Sequence, residues 1–182
     1  VSASITAFES STMRTFRLPM FPGVILDRAM VREPAVAGAF YDGRAAMLAA
    51  EVDGWLAADA APAPALGVLV PHAGYVYSGA VAGATFARVA VPPRAIVLGP
   101  NHTGLGHAGA ALWPGGAWRT PLGAVPVDPE LTAALAAAPG VARDRLAHLR
   151  EHALEVEVPF LQRARPDVAI AALCPGPLSF AE

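Results

Sequence analysis

The 182-residue chain predicts an α/β fold: a mixed, largely parallel sheet flanked by helices, in one domain over residues 30–182. Three observations carry this reading. Apolar runs of strand length alternate with alanine-rich helical stretches, the pattern of β-α units. Two of the runs, A-L-G-V-L-V-P-H and A-I-V-L-G-P-N-H, share one design: an uncharged strand, a proline that stops it, then a histidine, His72 or His102. The segments Ala60–Ala87 and Ala95–Trp118 contain no Asp, Glu, Lys or Arg, as buried strands with site-forming loops would.

The elements follow in order. Residues 1–29 read as a leader outside the domain, with Met30 a natural start. Arg32–Tyr41 is an extended lead-in. Asp42 is placed to cap a helix over Gly43–Asp59, and A-A-P-A-P-A is a stiff connector after it. A strand is expected at Ala65–Val70, then a small-residue helix over Ser78–Ala90 closed by Pro92-Pro93. The next strand is Ala95–Leu98, then a glycine-rich loop carrying a short strand at Ala110–Leu112. T-P-L-G turns the chain into a strand at Ala124–Val127. Asp128-Pro129 supplies an N-cap and an N1 proline for a helix that stops at Pro139-Gly140. A helix over Ala147–Ala164, kinked by Pro159, leads to a last strand at Val168–Leu173.

Composition excludes several classes. Hydrophobic residues make up 54% of the chain and charged residues 15%, but the excess is alanine, and Pro71, His72, Gly74, Pro100 and Asn101 interrupt the long apolar stretches, so no membrane span is expected. The net charge of −2, with no basic cluster, argues against nucleic-acid binding. Pro19 and Pro22 break the only candidate for a signal-peptide core, and the one cysteine, Cys174, suits a reducing compartment such as the cytoplasm.

Ligands of open α/β sheets bind beyond the carboxyl ends of the strands. His72 and His102, each just past such an end, are therefore candidate ligands of one metal ion, with rings within ~6 Å of each other, the reach that metal–nitrogen bonds allow. Gly74 would permit a backbone bend there, and Tyr75 and Tyr77 would wall the pocket or donate hydrogen bonds. A second constellation, A-H-L-R-E-H-A-L-E, sets His148, Glu151, His152 and Glu155 on one helix face. It also spells the inverted zinc-protease pattern H-x-x-E-H. That reading is the weaker one, because only 30 residues follow His152 to supply the distant carboxylate such enzymes need. Cys174 reads as a small buried hydrophobe, Trp113 and Trp118 as packing or rim residues, and His107 as a loop residue.

Five segments in order, R-E-P-A-V-A-G-A-F-Y, V-P-H-A-G-Y-V-Y-S-G, L-G-P-N-H-T-G, W-R-T-P-L-G and E-H-A-L-E-V-E-V-P-F-L-Q, resemble the Memo family, also called AmmeMemoRadiSam system protein B. The resemblance runs from Arg32 to Leu178. It implies a fold like that of the class III extradiol dioxygenases, with His72 and His102 as metal ligands and Asn101 and Glu151 among the pocket residues. His152 and Glu155 would be catalytic, His152 as an acid–base group. The implied cofactor is iron or copper, with zinc a weaker fit, and the implied chemistry is redox or oxygen chemistry. The alternative it implies is a non-catalytic module that binds a small molecule, a peptide, or radical-SAM and AMMECR-type partner proteins. Memo proteins continue past this point with a further histidine, an aspartate and a cysteine, so the domain reads as truncated at its C-terminus.

Overall fold

The computed structural model describes residues 30–57 and 61–176. The proposed leader, residues 1–29, lies outside them, as do residues 58–60 at the end of the first expected helix. Two sheets form. In the larger, the strand order is β2 (Arg94–Leu98), β7 (Ala169–Pro175), β3 (Ala110–Leu112), β6 (Val141–Arg143). The smaller runs β1 (Val31–Arg32), β4 (Ala117–Thr120), β5 (Gly123–Pro126). Pairs β2–β7, β3–β6 and β1–β4 are parallel, and β3–β7 and β4–β5 antiparallel. The mixed, largely parallel α/β class is therefore correct. A single bridge, Val127 to Ile170, joins the sheets.

Helices α1 (Ala45–Leu56), α2 (Tyr75–Phe86) and α5 (Val158–Ala164) pack on one another beside the larger sheet. Their shared core is aromatic. Phe86 stacks on Phe160 at 5.4 Å, and Tyr75 meets Trp55, Tyr41 and Phe160 at 5.1–5.5 Å. Such pairs add about 0.5–1.5 kcal/mol each beyond the area they bury. A Cβ on Gly83 would stand 2.3 Å from that of Trp55, which explains the small residues on the α2 face turned to α1. Helix α3 (Pro129–Ala136) packs on β3, β6 and β7 of the larger sheet. Asp128 caps it as the sequence requires, accepting from the amides of Glu130 and Leu131 at 2.9 Å each, and also pairs with Arg94 at the start of β2. Among the described residues, no helix is long and apolar enough to cross a membrane.

Four expectations need correction. The Ala65–Val70 run forms no strand. Its nearest ladder contact is the isolated bridge from Ala63 to Val89, and Leu66 and Leu69 are almost fully exposed. An apolar run makes a strand only where its amides and carbonyls pair with a neighbour, and this run pairs with none, although β2 stands at the sheet edge with β7 as its one partner among the described residues. Asp42 does not cap α1; the cap position is Arg44, whose amide and side chain Asp42 binds instead. Helix α2 starts three residues earlier than expected, at Tyr75, and ends at Phe86.

The fourth correction bears on the site. Ala147–Ala164 is not one helix. It is a single turn, α4 (Leu146–Leu149), a non-helical connector, a 3₁₀ turn (Glu155–Glu157) and α5. The cause is competition for backbone groups. The carbonyls of His148 and Glu151 accept from the buried Arg32 guanidinium. The amides of His152 and Ala153 donate to the Glu151 side chain at 2.9 Å each. With those groups spent, the helical ladder cannot propagate. Pro159 accordingly sits in the first turn of α5, where it is tolerated, and kinks nothing.

Candidate metal centre

The connector between α4 and the 3₁₀ turn meets the end of β2. Gly99 makes this approach possible, because a Cβ there would lie 2.8 Å from Leu154 Cδ1 and 3.1 Å from Ala153 Cβ. Just beyond it, the His102 amide donates to Glu151 Oε2 at 2.5 Å and its Nδ1 lies 2.8 Å from Glu151 Oε1. A carboxylate can only accept, so Nδ1 carries the proton and Nε2 keeps its lone pair free. His152 Nδ1 stands 3.4 Å from the same oxygen. Glu151 is fully buried while the His102 side chain is 43% exposed, so a carboxylate at the floor orients the imidazole of His102 at the rim.

His72 completes the group. Its ring centre is 5.3 Å from that of His102 and 6.1 Å from that of His152, and the latter two are 4.6 Å apart. Imidazoles bound through nitrogen at ~2.1 Å around one ion have ring centres roughly 4.5–5.5 Å apart for angles between right and tetrahedral. The three rings fit that spacing with small movements. By ligand-atom distance alone, the tight set is His102, Glu151 and His152, within 4.8 Å, without His72. We favour the three imidazoles, because the Glu151 oxygens are already occupied by four donors. Burial, then the neighbouring His102, hold the His72 pKa below its ordinary value; burial also lowers that of His152. Both shifts favour the neutral ring that ligates metals. For Glu151, burial acts upward, but the His102 side chain and the amides of Ala153 and His102 outweigh it and the net shift is down.

The other sequence candidates are placed as follows. Glu155 is buried beneath the site. It accepts from Arg32, from the Ala35 and Val36 amides at 2.8 and 3.0 Å, and from the Tyr41 hydroxyl at 2.5 Å. Tyr75 is a core residue whose hydroxyl donates to the Val156 carbonyl at 2.7 Å, and Tyr77 is exposed on α2. Gly74 has an ordinary φ of −59° as the residue before α2, and its close neighbour is Phe40. Asn101 folds its own loop, donating to the Leu105 carbonyl at 2.7 Å and accepting from Thr103 and Gly104.

His148 is fully buried between Trp113 and Trp118. Its Nε2 donates to the Ala111 carbonyl at 3.0 Å, so Nδ1 accepts from Cys174 Sγ, 3.6 Å away. Burial lowers its pKa to about 4 and pushes the Cys174 thiol up to about 12. Both His148 nitrogens are spent, which removes H-x-x-E-H as a metal set, and Cys174 is the buried hydrophobe expected.

Two contributors were missed. Arg32 holds the connector by three hydrogen bonds and lies over Trp118 at 4.6 Å. Phe40 packs its ring 4.7 Å from that of His152. Both lie in the segment read as an extended lead-in, and no local pattern signals a partner 119 residues away.

The description "Memo-like protein" matches residues 32–177. Among curated relatives, a MEMO1 family protein of Thermotoga neapolitana is 41% identical over 161 residues, 80% of this chain and 58% of that one. The corresponding protein of Aquifex aeolicus is 45% identical over 136 residues, 73% and 50% of the two chains. That of Thermococcus onnurineus is 41% identical over 157 residues, 81% and 54%. The chain thus spans about half the length of the curated relatives it matches.

Proposed function

The chain belongs to the Memo-like family, and from that premise we propose that His72, His102 and His152 hold one metal ion, iron or copper before zinc. The observation that carries this is the convergence of three imidazole rings within 6.1 Å, one of them, His102, hydrogen-bonded to a buried carboxylate that also lies 3.4 Å from His152. His152, expected as an acid–base group, is close enough to serve as a ligand. Glu151 is the orienting partner that metal-bound histidines require; loss of such a partner typically costs 10–100-fold in affinity. Glu155 holds the connector and is a positioning residue. Bound iron or copper would supply Lewis acidity and the oxygen or redox chemistry that the resemblance to extradiol dioxygenases implies. Glu151 fixes the His102 tautomer, and Phe40 packs against the His152 ring.

Elemental analysis and metal titration test the reading. His72→Ala, His102→Ala and His152→Ala should each weaken binding about ten-fold or more, because each removes one of few ligands. Unchanged occupancy in all three would place the site elsewhere. A second reading, a peptide- or protein-binding module serving radical-SAM or AMMECR-type partners, draws on one further observation. Leu66, Leu69, Val76 and Tyr77, on the two stretches that flank His72, are each at least 84% exposed. That module requires no metal, so stoichiometry separates the two readings.

A further inference from the structure

A recess of about 580 Å³ lies on the far side of Phe40 from the histidines, within the usual size range for small-molecule pockets. Its floor is Tyr41 and Tyr75, both 4% exposed. Their hydroxyls are turned away, to Glu155 and to the Val156 carbonyl, so neither hydroxyl is free for a ligand. Met47 and Val76 stand at its sides, both exposed apolar side chains that a ligand would cover.

Two acidic groups share the recess. Asp42 is neutralised by Arg44, at 2.6 and 3.0 Å. Glu51 has no cationic partner among the described residues, and burial together with Asp42 pushes its pKa up. An aromatic floor with one uncompensated carboxylate at the wall is complementary to a positive charge on an apolar stem. An anion would meet repulsion from Glu51. The dividing wall is fixed independently of any metal, because the Phe40 carbonyl accepts from the Tyr75 amide at 2.7 Å.

We propose that this recess binds an organic cation, an ammonium carried on an aromatic or branched apolar stem, with Glu51 as its counter-charge and Phe40 as the wall shared with the histidine cluster. The site stands whether or not the histidines hold a metal.

Calorimetric titration of the full chain with 2-phenylethylamine at neutral pH, against 2-phenylethanol and 3-phenylpropionate, provides the test. An exposed carboxylate pair and a cation–π contact together give roughly ten-fold preference for the amine over the alcohol. Glu51→Gln should remove that preference and leave metal occupancy unchanged; the residue is exposed on α1, so the fold is spared. His102→Ala should bind the amine as the parent does. Equal affinity for all three probes, no saturable amine binding, or undiminished amine preference in Glu51→Gln would each overturn the proposal. Loss of amine binding in His102→Ala would reassign the ligand to the histidine cluster.

Discussion

Glu151 on the connector and Glu155 at the start of the 3₁₀ turn stand four residues apart, and their surroundings differ in kind. Glu155 is walled in by Arg32, two amides and the Tyr41 hydroxyl, and its charge is wholly consumed by the fold. Glu151 is equally buried, but its oxygens face outward to His102 and His152 at the rim. The difference shows a division of labour: one carboxylate anchors the connector to β1, and the other uses the position so fixed to orient imidazoles. Arg32 couples the two, since it binds the side chain of Glu155 and the carbonyl of Glu151.

The largest expected effect comes from breaking the anchor. Arg32→Met leaves the Glu155 charge buried without its ion-pair partner, which costs about 3–5 kcal/mol of stability. Adding Glu155→Gln should restore a large part of it, because the uncompensated charge is gone. Denaturant unfolding of both variants measures this. A loss below about 1 kcal/mol in the single variant would mean that the pair is no anchor.

Next in size is a third carboxylate on the same stretch, which serves as the control. Glu157 is 6% exposed and neither oxygen has a hydrogen-bond partner among the described residues. Burial raises its pKa from 4.5 to about 8. The native state therefore binds a proton that the unfolded state has released, and stability must fall as pH rises from about 4.5 to about 8. At ~1.4 kcal/mol per unit the loss is on the order of 3–4 kcal/mol once part of the burial is relieved by relaxation. Glu157→Gln should flatten that slope and be the more stable protein above pH 8. Parallel pH profiles for the two proteins would contradict it.

Beneath the rim, Glu151→Gln keeps the shape but forfeits the charge that holds the His102 proton on Nδ1. Metal affinity should fall 10–100-fold, while unfolding changes less than in Arg32→Met. Equal damage to stability in the two variants would erase the distinction between anchor and rim.

How much of this was legible depends on which interactions were local. The Asp128-Pro129 cap, β2 and β3 are specified within a few residues and were read correctly. That His72 and His102 approach each other follows from the proline-then-histidine design, although the first of the two runs is no strand. The connector was misread because alanine, leucine and glutamate at helical spacing outvote anything nearby; the arginine that unwinds it arrives from β1. The different surroundings of Tyr75 and Tyr77 were hidden for a similar reason. On α2 the two residues point to opposite sides, one into the aromatic core and one to solvent, and spacing alone does not say which side is the crevice.

The smallest expected effect sharpens the comparison most, because it changes distance without changing charge. A Cβ on Gly99 would meet Leu154 Cδ1, the far end of a flexible side chain that can swing aside, and Ala153 Cβ at 3.1 Å, which cannot yield unless the connector shifts by a few tenths of an ångström. Gly99→Ala should therefore cost about 1 kcal/mol, at the low end for overpacking. The shift falls between His102 and Glu151, whose amide contact is already 2.5 Å, so metal affinity should fall a few-fold. Arg32 is out of its reach, and the anchor should unfold as in the parent once the small stability loss is allowed for. A drop in affinity as deep as that of Glu151→Gln would show that the spacing of β2 and the connector governs the centre more than the charge of the carboxylate. No drop at all would mean that the imidazoles tolerate displacement and that the rim is less ordered than its hydrogen bonds imply.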